Sequence, residues 1–289
     1  MTVAAGTVLL VHAHPDDELL STGVRLCHDV AAGRDVHVLT CTLGDEGEVI
    51  PPGLAHLVAG REGALASHRL GELRAALAAA GATSHVLAEA DGRARWRDSG
   101  MAGSAAADHP DAWVGSDDEA VDAVREVLAR VAPDVVVTYD AGGGYQHPDH
   151  VRTHAVTRAA VIAENAELAA DGRAPIRLEI ALTPASWARE DRAWVREHAE
   201  QLEALGWRIP AEDEGYPVSV VDDALVPIRV VDPAAARSRA EALRHHRTQV
   251  IVTADGQAHA LSNLVAARLP DREGYAEIDP VTGEHRSAG

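Results

Sequence analysis

The sequence predicts an α/β protein built on a Rossmann-like, doubly wound and mostly parallel sheet. Over residues 1–165, short apolar runs alternate with segments of helical spacing, and the first three segments form a strand–helix–strand unit. Such a unit implies parallel strands joined by a right-handed crossover, and its repetition places helices on both faces of one sheet. With 289 residues and 46% hydrophobic content, the chain can bury one large core and a smaller appended unit.

The first strand–helix–strand unit lies near the N-terminus. TVLLVHAH (7–14) is mostly apolar, as is typical of a strand buried on both faces. Helical spacing follows over residues 18–32 and ends at Gly33, a residue type that commonly terminates helices. DVHVLTCTL (35–43) predicts the second parallel strand.

The same alternation continues to about residue 165. It predicts helices over 68–81, 116–133 and 148–164, and strands over 84–90 and 134–140. Beyond this point the pattern is looser, with the apolar run IRLEIALTP, short strands, and helices near 186–206 and 233–247. We therefore predict a core over residues 1–165 and a smaller α/β C-terminal region, 166–289, that covers the site as a cap.

Composition restricts the partners of the protein. The formal net charge of -19 repels phosphate backbones and anionic lipid surfaces, so we expect no nucleic acid and no membrane partner, and a small neutral or cationic substrate fits better. Cys27 and Cys41 lack the spacing of a zinc site and the density of a disulfide scaffold, and the N-terminus lacks the features of a signal peptide. These observations predict reduced cysteines and a cytoplasmic protein, and they leave the oligomeric state open.

The stretch HAHPDDELL (12–20) contains an unusual cluster of polar residues at the predicted end of the first strand. In open parallel sheets, active sites gather beyond the C-terminal ends of the strands. The free N–H groups and the dipole of the helix that follows favour ionised Asp16 and Asp17. An ordinary helix cap would also explain two acids at this place, so this motif alone does not decide between the two explanations.

A second motif, YDAGGGYQHPDH (139–150), follows another predicted parallel strand and strengthens the functional interpretation. Together the two motifs offer two imidazoles and one carboxylate, a set typical of a catalytic metal site with open positions. The predicted ligands are His14, Asp17 and His150. Zinc is the first choice because hydrolysis needs no redox partner, and ferrous iron is the alternative. His12 is expected to be a core histidine and Glu18 to face solvent.

The remaining polar residues of these motifs have predicted catalytic roles. Asp16 is the expected general base, because it adjoins a ligand and is itself free to take a proton from water. His147 and Tyr145 are expected to stabilise negative charge on the substrate oxygen. Asp149 is expected to orient His147 and to favour its charged form.

The segments AHPDDE, TCTLGDEGEV and HPDH resemble the PIG-L/LmbE-like family of zinc-dependent N-deacetylases, across most of the first 165 residues. The resemblance implies an LmbE-like fold and removal of the N-acetyl group from an N-acetylglucosaminyl sugar. TLGDEGEVI, RLGEL, RWRDSGMAG and GGYQHPDH are similar to members that act on N-acetylglucosaminyl-inositol in mycothiol biosynthesis. The regions 103–115 and 165–230 depart from the family pattern.

The resemblance also implies that Arg69 and Asp98 bind hydroxyl groups of the sugar and inositol, with Asn263 in a similar role. Without it, Arg69 would be interpreted as a solvated helix charge and Asp98 as a turn residue. Alternatives within the family are a mycothiol S-conjugate amidase and a sugar-antibiotic N-deacetylase. A non-catalytic metal- or sugar-binding module would lack a base and an oxyanion donor, and an amidohydrolase barrel commonly needs a lysine, which this chain does not contain.

Overall fold

A computed structural model describes residues 6–58 and 63–286 of the chain. The strands of the main sheet are β1 Thr7–His12, β2 Asp35–Thr40, β3 Thr83–Val86, β4 Val135–Tyr139, β5 Arg177–Pro184, β6 Val220–Val221, β7 Ile228–Val231 and β11 Arg272–Ile278. Their order in the sheet is β3-β2-β1-β4-β5-β11-β7, and β6 pairs with the end of β5. The pairs among the first five strands of this order are parallel, whereas β11 pairs antiparallel with both β5 and β7.

Helices cover both faces of this sheet, which confirms the predicted doubly wound α/β class. A separate three-stranded sheet consists of β8 Ile251–Val252, β9 Ala258–Ala260 and β10 Ala267–Arg268. The α-helices are α1 Asp17–Ser21, α2 Gly23–Ala31, α3 Ala64–Ala80, α4 Asp118–Val131, the irregular single turn α5 Gly143–Gln146, α6 Pro148–Ala170, α7 Ala185–Glu197, α8 Ala199–Glu203 and α9 Pro233–Leu243.

The helix predicted over residues 18–32 is divided in two at Thr22. The Thr22 hydroxyl donates to the carbonyl oxygen of Glu18 and accepts a hydrogen bond from Nε2 of His12. The carboxylate of Glu273, on β11, accepts hydrogen bonds from the backbone N–H groups of Val24 and Arg25 at 2.8 Å each. A distant acid thus satisfies the first turn of α2, which lets this helix begin independently of α1.

The predicted boundary at residue 165 does not coincide with an edge of the main sheet. Helix α6 continues across it, and β5, β7 and β11 extend the sheet formed by the N-terminal strands. The small sheet packs with α7 and α8 around its own apolar cluster: Val195, Leu202, Trp207, Ala258, Ala260 and Ala266. The C-terminal region therefore both continues the core and adds a separate layer.

The core lies on both faces of the central strands. On β1, Val8 and Leu10 belong to one apolar cluster, whereas Leu9 and Val11 belong to another, and all four are fully buried. This alternation follows from the period of two along a strand. It predicts that neither face tolerates the loss of a large side chain.

The substitution Leu10→Ala should lower the free energy of unfolding by about 2–5 kcal/mol, because it removes buried methyl groups and leaves a cavity. Urea unfolding measures this change. Leu205→Ala is the matched control: that side chain is 56% exposed, and its loss should change stability by no more than about 0.5 kcal/mol. Equal effects of the two substitutions would contradict the assignment of Leu10 to the core.

Candidate metal centre and active site

The two polar motifs meet at the C-terminal ends of β1 and β4. These strands are neighbours in the sheet, and the chain order along the sheet reverses at this point. Such a position leaves a crevice between the connections that leave in opposite directions, and it is where ligands bind in open α/β sheets. His14 to Asp17 follow β1, and the segment from His147 begins α6, with Pro148 in the first helical turn.

Three side-chain atoms at this point form a nearly equilateral triangle. Nδ1 of His14 is 3.3 Å from Oδ2 of Asp17, and Nε2 of His150 is 3.2 Å from the same oxygen. The two nitrogens are 3.3 Å apart. Tetrahedral zinc with ligand bonds of about 2.0–2.1 Å separates its ligand atoms by about 3.4 Å, so this set fits one ion. The structure therefore brings the predicted ligand set together.

Two other groups of side chains at this point also have metal-binding chemistry. His14 lies close to His147 and His150 in one group, and to Asp98 and Asp149 in the other. Nε2 of His14, however, is 3.2 Å from Oδ2 of Asp149, and a carboxylate can only accept a hydrogen bond from it. This contact leaves Nδ1, which faces the triangle, as the free ligand atom of His14.

Asp17 is held in place by two further contacts, one of which is itself supported by a third. The Tyr139 hydroxyl donates to its Oδ2 at 2.7 Å, and the backbone N–H of His14 donates to the same oxygen at 3.0 Å. The backbone N–H of Ala13 in turn donates to the Tyr139 oxygen at 3.0 Å. Burial alone would raise the pKa of Asp17, but the imidazoles of His150 and His14 hold it well below its ordinary value. The residue is thus available as an anionic ligand.

Asp16 is buried beside this triangle. Burial is the main cause that raises the pKa of its carboxyl to about 7; Asp17 adds to the rise, and the positive charge of Arg69 opposes it. Nη2 of Arg69 is 3.4 Å from Oδ2 of Asp16. A carboxyl with a pKa near 7 can exchange protons at neutral pH, as a general base must.

His147 lies against both histidines of the triangle, with ring centroids 4.8 Å from His14 and 4.9 Å from His150. Its Nδ1 accepts the backbone N–H of Asp149 at 3.2 Å. Burial and the two neighbouring imidazoles lower the pKa of His147 to about 4. A neutral ring whose Nδ1 accepts a hydrogen bond carries its proton on Nε2, so His147 can donate from that atom.

Asp149 differs from its expected role. Its carboxylate contacts Nε2 of His14 and the backbone N–H of Ser99, at 3.2 and 3.0 Å, and only its backbone reaches the ring of His147. The charged form of His147 is not favoured, because desolvation outweighs the attraction of Asp149. Asp149 therefore orients a predicted metal ligand instead of the predicted oxyanion donor.

Tyr145 is carried by the glycine-rich turn in front of α6. Its side chain is 51% exposed, and its ring lies 5.0 Å from that of His150 and 6.0 Å from that of His147. Gly144 before it has φ +74°, a left-handed conformation that a glycine adopts without strain. The phenol thus stands at the mouth of the site.

Of the three residues predicted to contact the substrate, two are buried and one is exposed. Arg69 is buried and donates to the carbonyl oxygens of Gly44 and Pro15 at 2.7 and 2.6 Å. Asp98 is also buried, with Oδ1 3.5 Å from Nε2 of His14. Asn263 is exposed and accepts a hydrogen bond from the N–H of Val265 within its own turn.

Two consequences follow for these residues. Arg69 and Asp98 lie beside the ligand triangle, in contact with Asp16 and His14, whereas the resemblance implied contacts with hydroxyl groups of the sugar and inositol. The side chain of Asn263 bonds within its own turn, and its role toward the substrate stays a prediction.

Sequence reasoning missed Tyr139 and assigned His246 no role. Tyr139 was interpreted only as the end of an apolar strand, although it holds Asp17. Glu18 was expected to face solvent, but it is fully buried, with Oε1 2.7 Å from Nε2 of His246. An acid directly after a pair of acids, and a pair of adjacent histidines in the segment RHHRTQ, were the available signals.

The expected core histidine at position 12 is fully buried and bonded to Thr22.

Across residues 6–58 and 63–286, none of the helices is long and apolar enough to cross a bilayer.

Comparison with known proteins identifies close relatives over almost the full length. The chain is 43% identical over 284 residues to a 1D-myo-inositol 2-acetamido-2-deoxy-alpha-D-glucopyranoside deacetylase of Actinosynnema mirum, covering 96% of this chain and 94% of that protein. A protein of the same name from Rhodococcus opacus is 40% identical over 292 residues, covering 98% and 94%. The solved N,N'-diacetylchitobiose deacetylase of Pyrococcus horikoshii has a TM-score of 0.52 at 18% identity, covering 85% of this chain and 71% of that chain, and supports the fold alone.

A family model described as PIG-L, GlcNAc-PI de-N-acetylase, matches residues 9–161. This range contains both polar motifs and all three corners of the ligand triangle. The predicted family is thereby confirmed: the chain belongs to the PIG-L family.

Proposed function

We propose that the protein is a metal-dependent N-deacetylase that removes the acetyl group from 1D-myo-inositol 2-acetamido-2-deoxy-α-D-glucopyranoside, as a step of mycothiol biosynthesis. The observation that carries the proposal is the ligand triangle with the buried carboxyl of Asp16 beside it. Relatives of this name at about 40% identity support the choice of substrate. Membership of the PIG-L family supports the reaction type.

His14, Asp17 and His150 would hold the metal, which we propose to be zinc, with ferrous iron as the alternative. Two nitrogens and one carboxylate oxygen suit either ion. Asp149 would fix the tautomer of His14 by accepting a hydrogen bond from Nε2, the nitrogen that does not face the metal. When bound, such an ion acts as a Lewis acid that activates a water molecule and polarises the amide carbonyl.

The residues around the triangle would move the protons. Asp16 takes a proton from the attacking water and returns it to the amine that leaves, a use that fits its buried place beside the triangle. Nε2–H of His147 donates to the carbonyl oxygen as negative charge develops on it, and Tyr145 adds a second donor from the mouth of the site. Arg69, which contacts the carboxylate of Asp16, keeps the base oriented.

A cavity of about 230 Å³ beside the site supports a substrate with a second polar ring. It adjoins the reaction centre through Tyr139 and Gly144, and its polar lining includes Asp140, Asp191 and Arg268. Buried hydroxyl groups stabilise a complex only where the site pairs them; here the two carboxylates can accept hydrogen bonds and the guanidinium can donate them. We propose that this cavity receives the inositol.

We further propose that the protein is cytoplasmic and acts on a small molecule. Cys27 and Cys41 are both buried and free, as expected in a reducing compartment. We also propose that residues 1–165 carry the metal ligands and that the part of 166–289 outside the strands of the main sheet covers them.

N-acetylglucosaminyl-inositol should be deacetylated with a kcat/KM well above that of free N-acetylglucosamine, because only the larger substrate can fill the adjoining cavity. Initial rates of amine release across a panel of N-acetylglucosaminyl-inositol, N-acetylglucosamine, chitobiose and a mycothiol conjugate measure this preference. Asp191→Asn should reduce the preference without loss of metal.

The control for that substitution is Asp213→Asn, an exposed acid outside the cavity lining. Equal kcat/KM for the inositol-bearing and bare sugars would contradict the choice of substrate, although a general sugar deacetylase would remain. A preference for the mycothiol conjugate would favour the amidase of the same family.

A further inference from the structure

We infer that Glu18 and His246 are positioning residues that hold the backbone of Asp16 in the conformation its catalytic role requires. The inference rests on the proposed role of Asp16 as the general base. It adds a residue of the C-terminal region to a site that is otherwise formed by the N-terminal motifs.

The backbone of Asp16 is strained. Its φ of +101° and ψ of -31° lie outside the regions that residues with a Cβ ordinarily occupy. Such a conformation persists only where surrounding contacts enforce it. The carbonyl oxygen of Asp16 accepts the N–H groups of Leu19 and Leu20 at 3.0 Å each, and its own N–H donates to Oε2 of Glu18 at 2.9 Å. Glu18 is therefore the acceptor that fixes the N-terminal side of this peptide.

His246 fixes Glu18 from the other side. Nε2 of His246 lies 2.7 Å from Oε1 of Glu18, and both side chains are fully buried. Because a carboxylate only accepts, Nε2 is the donor. The two oxygens belong to one planar group, so a bond to Oε1 restricts the rotation of Oε2. Without His246, Oε1 of Glu18 would be buried without its hydrogen-bond partner. This cost would favour a side-chain rotamer of Glu18 that points away from Asp16.

The same C-terminal segment also contacts α3, the helix that carries Arg69. The N–H and the hydroxyl of Thr248 donate to the carboxylate of Glu72 at 2.9 and 2.6 Å. Glu72 lies one helical turn after Arg69 on α3, and Arg69 donates to the carbonyl oxygen of Pro15. Residues 246–248 thus contact both elements that flank the strained turn, which agrees with a positioning role.

The first test compares two amides at position 246. The amide nitrogen of His246→Gln can occupy the place of Nε2, whereas the shorter side chain of His246→Asn cannot reach Glu18. We expect His246→Asn to lower kcat on the order of 10- to 100-fold through misplacement of the base, with KM and metal content close to wild type. His246→Gln should restore most of kcat. His245→Asn is the matched control at the exposed neighbouring histidine and should leave activity unchanged.

The second test asks whether His246 acts through Asp16. If it does, the double variant His246→Asn/Asp16→Asn should be no slower than Asp16→Asn, because a base that cannot take a proton gains nothing from orientation. Multiplying losses in the double variant, or equal kcat for His246→Asn and His246→Gln, would overturn the inference while the proposed function stands. Near wild-type turnover of Asp16→Asn alone would overturn the proposed base and the inference with it.

Discussion

Asp17→Ala and His150→Ala are each expected to leave the protein without stoichiometric metal and with almost no turnover. Each substitution removes one corner of a triangle whose three sides measure 3.2 to 3.3 Å, and two remaining ligands do not close a catalytic site. Elemental analysis of protein purified with zinc, alongside the rate of amine release, measures both losses.

The control for these variants is His12→Gln at the end of β1, which can keep the hydrogen bond to Thr22 and should retain full metal. The Asp17→Ala protein also separates the three candidate groups. Full zinc occupancy there would exclude the triangle and favour one of the groups that His14 forms with His147 and His150, or with Asp98 and Asp149.

Asp16→Asn should keep its metal while kcat falls by about two to four orders of magnitude, the usual effect of removing a positioned acid or base. The amide retains the size of the carboxyl but cannot accept a proton. Metal content and kcat measured on the same preparation separate this effect from loss of a ligand.

Asp91→Asn is the matched control for that change, because Asp91 is an exposed aspartate that also has a positive φ, +53°. It should turn over at the wild-type rate. Turnover of Asp16→Asn within a few-fold of wild type would require a different base.

The sheet and the meeting of the two motifs could be predicted from the sequence because both depend on local patterns. Apolar runs identify β1 and β4, and parallel strands place their C-terminal ends at one edge, so His14 and His150 had to lie near each other. The approach of Glu273 to the first turn of α2 could not be predicted, since the residues are 249 positions apart. The break at Thr22 was missed for this reason.

The orientation of side chains within the site was the harder part. Asp149 is two residues from His147 in sequence, but its carboxylate reaches His14, 135 positions away. Glu18 is a residue type that ordinarily faces solvent on a helix. Its burial depends on contact with His246 in the C-terminal segment. The sequence was enough to predict which polar residues form the site. It was not enough to predict their hydrogen-bond partners, because these depend on tertiary contacts between segments far apart in the chain.

With a metal at the ends of β1 and β4, this chain should hydrolyse the acetamide of an N-acetylglucosaminyl sugar. The most direct measurement incubates zinc-loaded wild-type protein with N-acetylglucosaminyl-inositol and quantifies free acetate and primary amine together. Both products should appear in equal amounts, and with zinc-loaded Asp16→Asn both should form at least about 100-fold more slowly. A wild-type protein with one bound zinc per chain that releases no acetate from this substrate would contradict the proposed function.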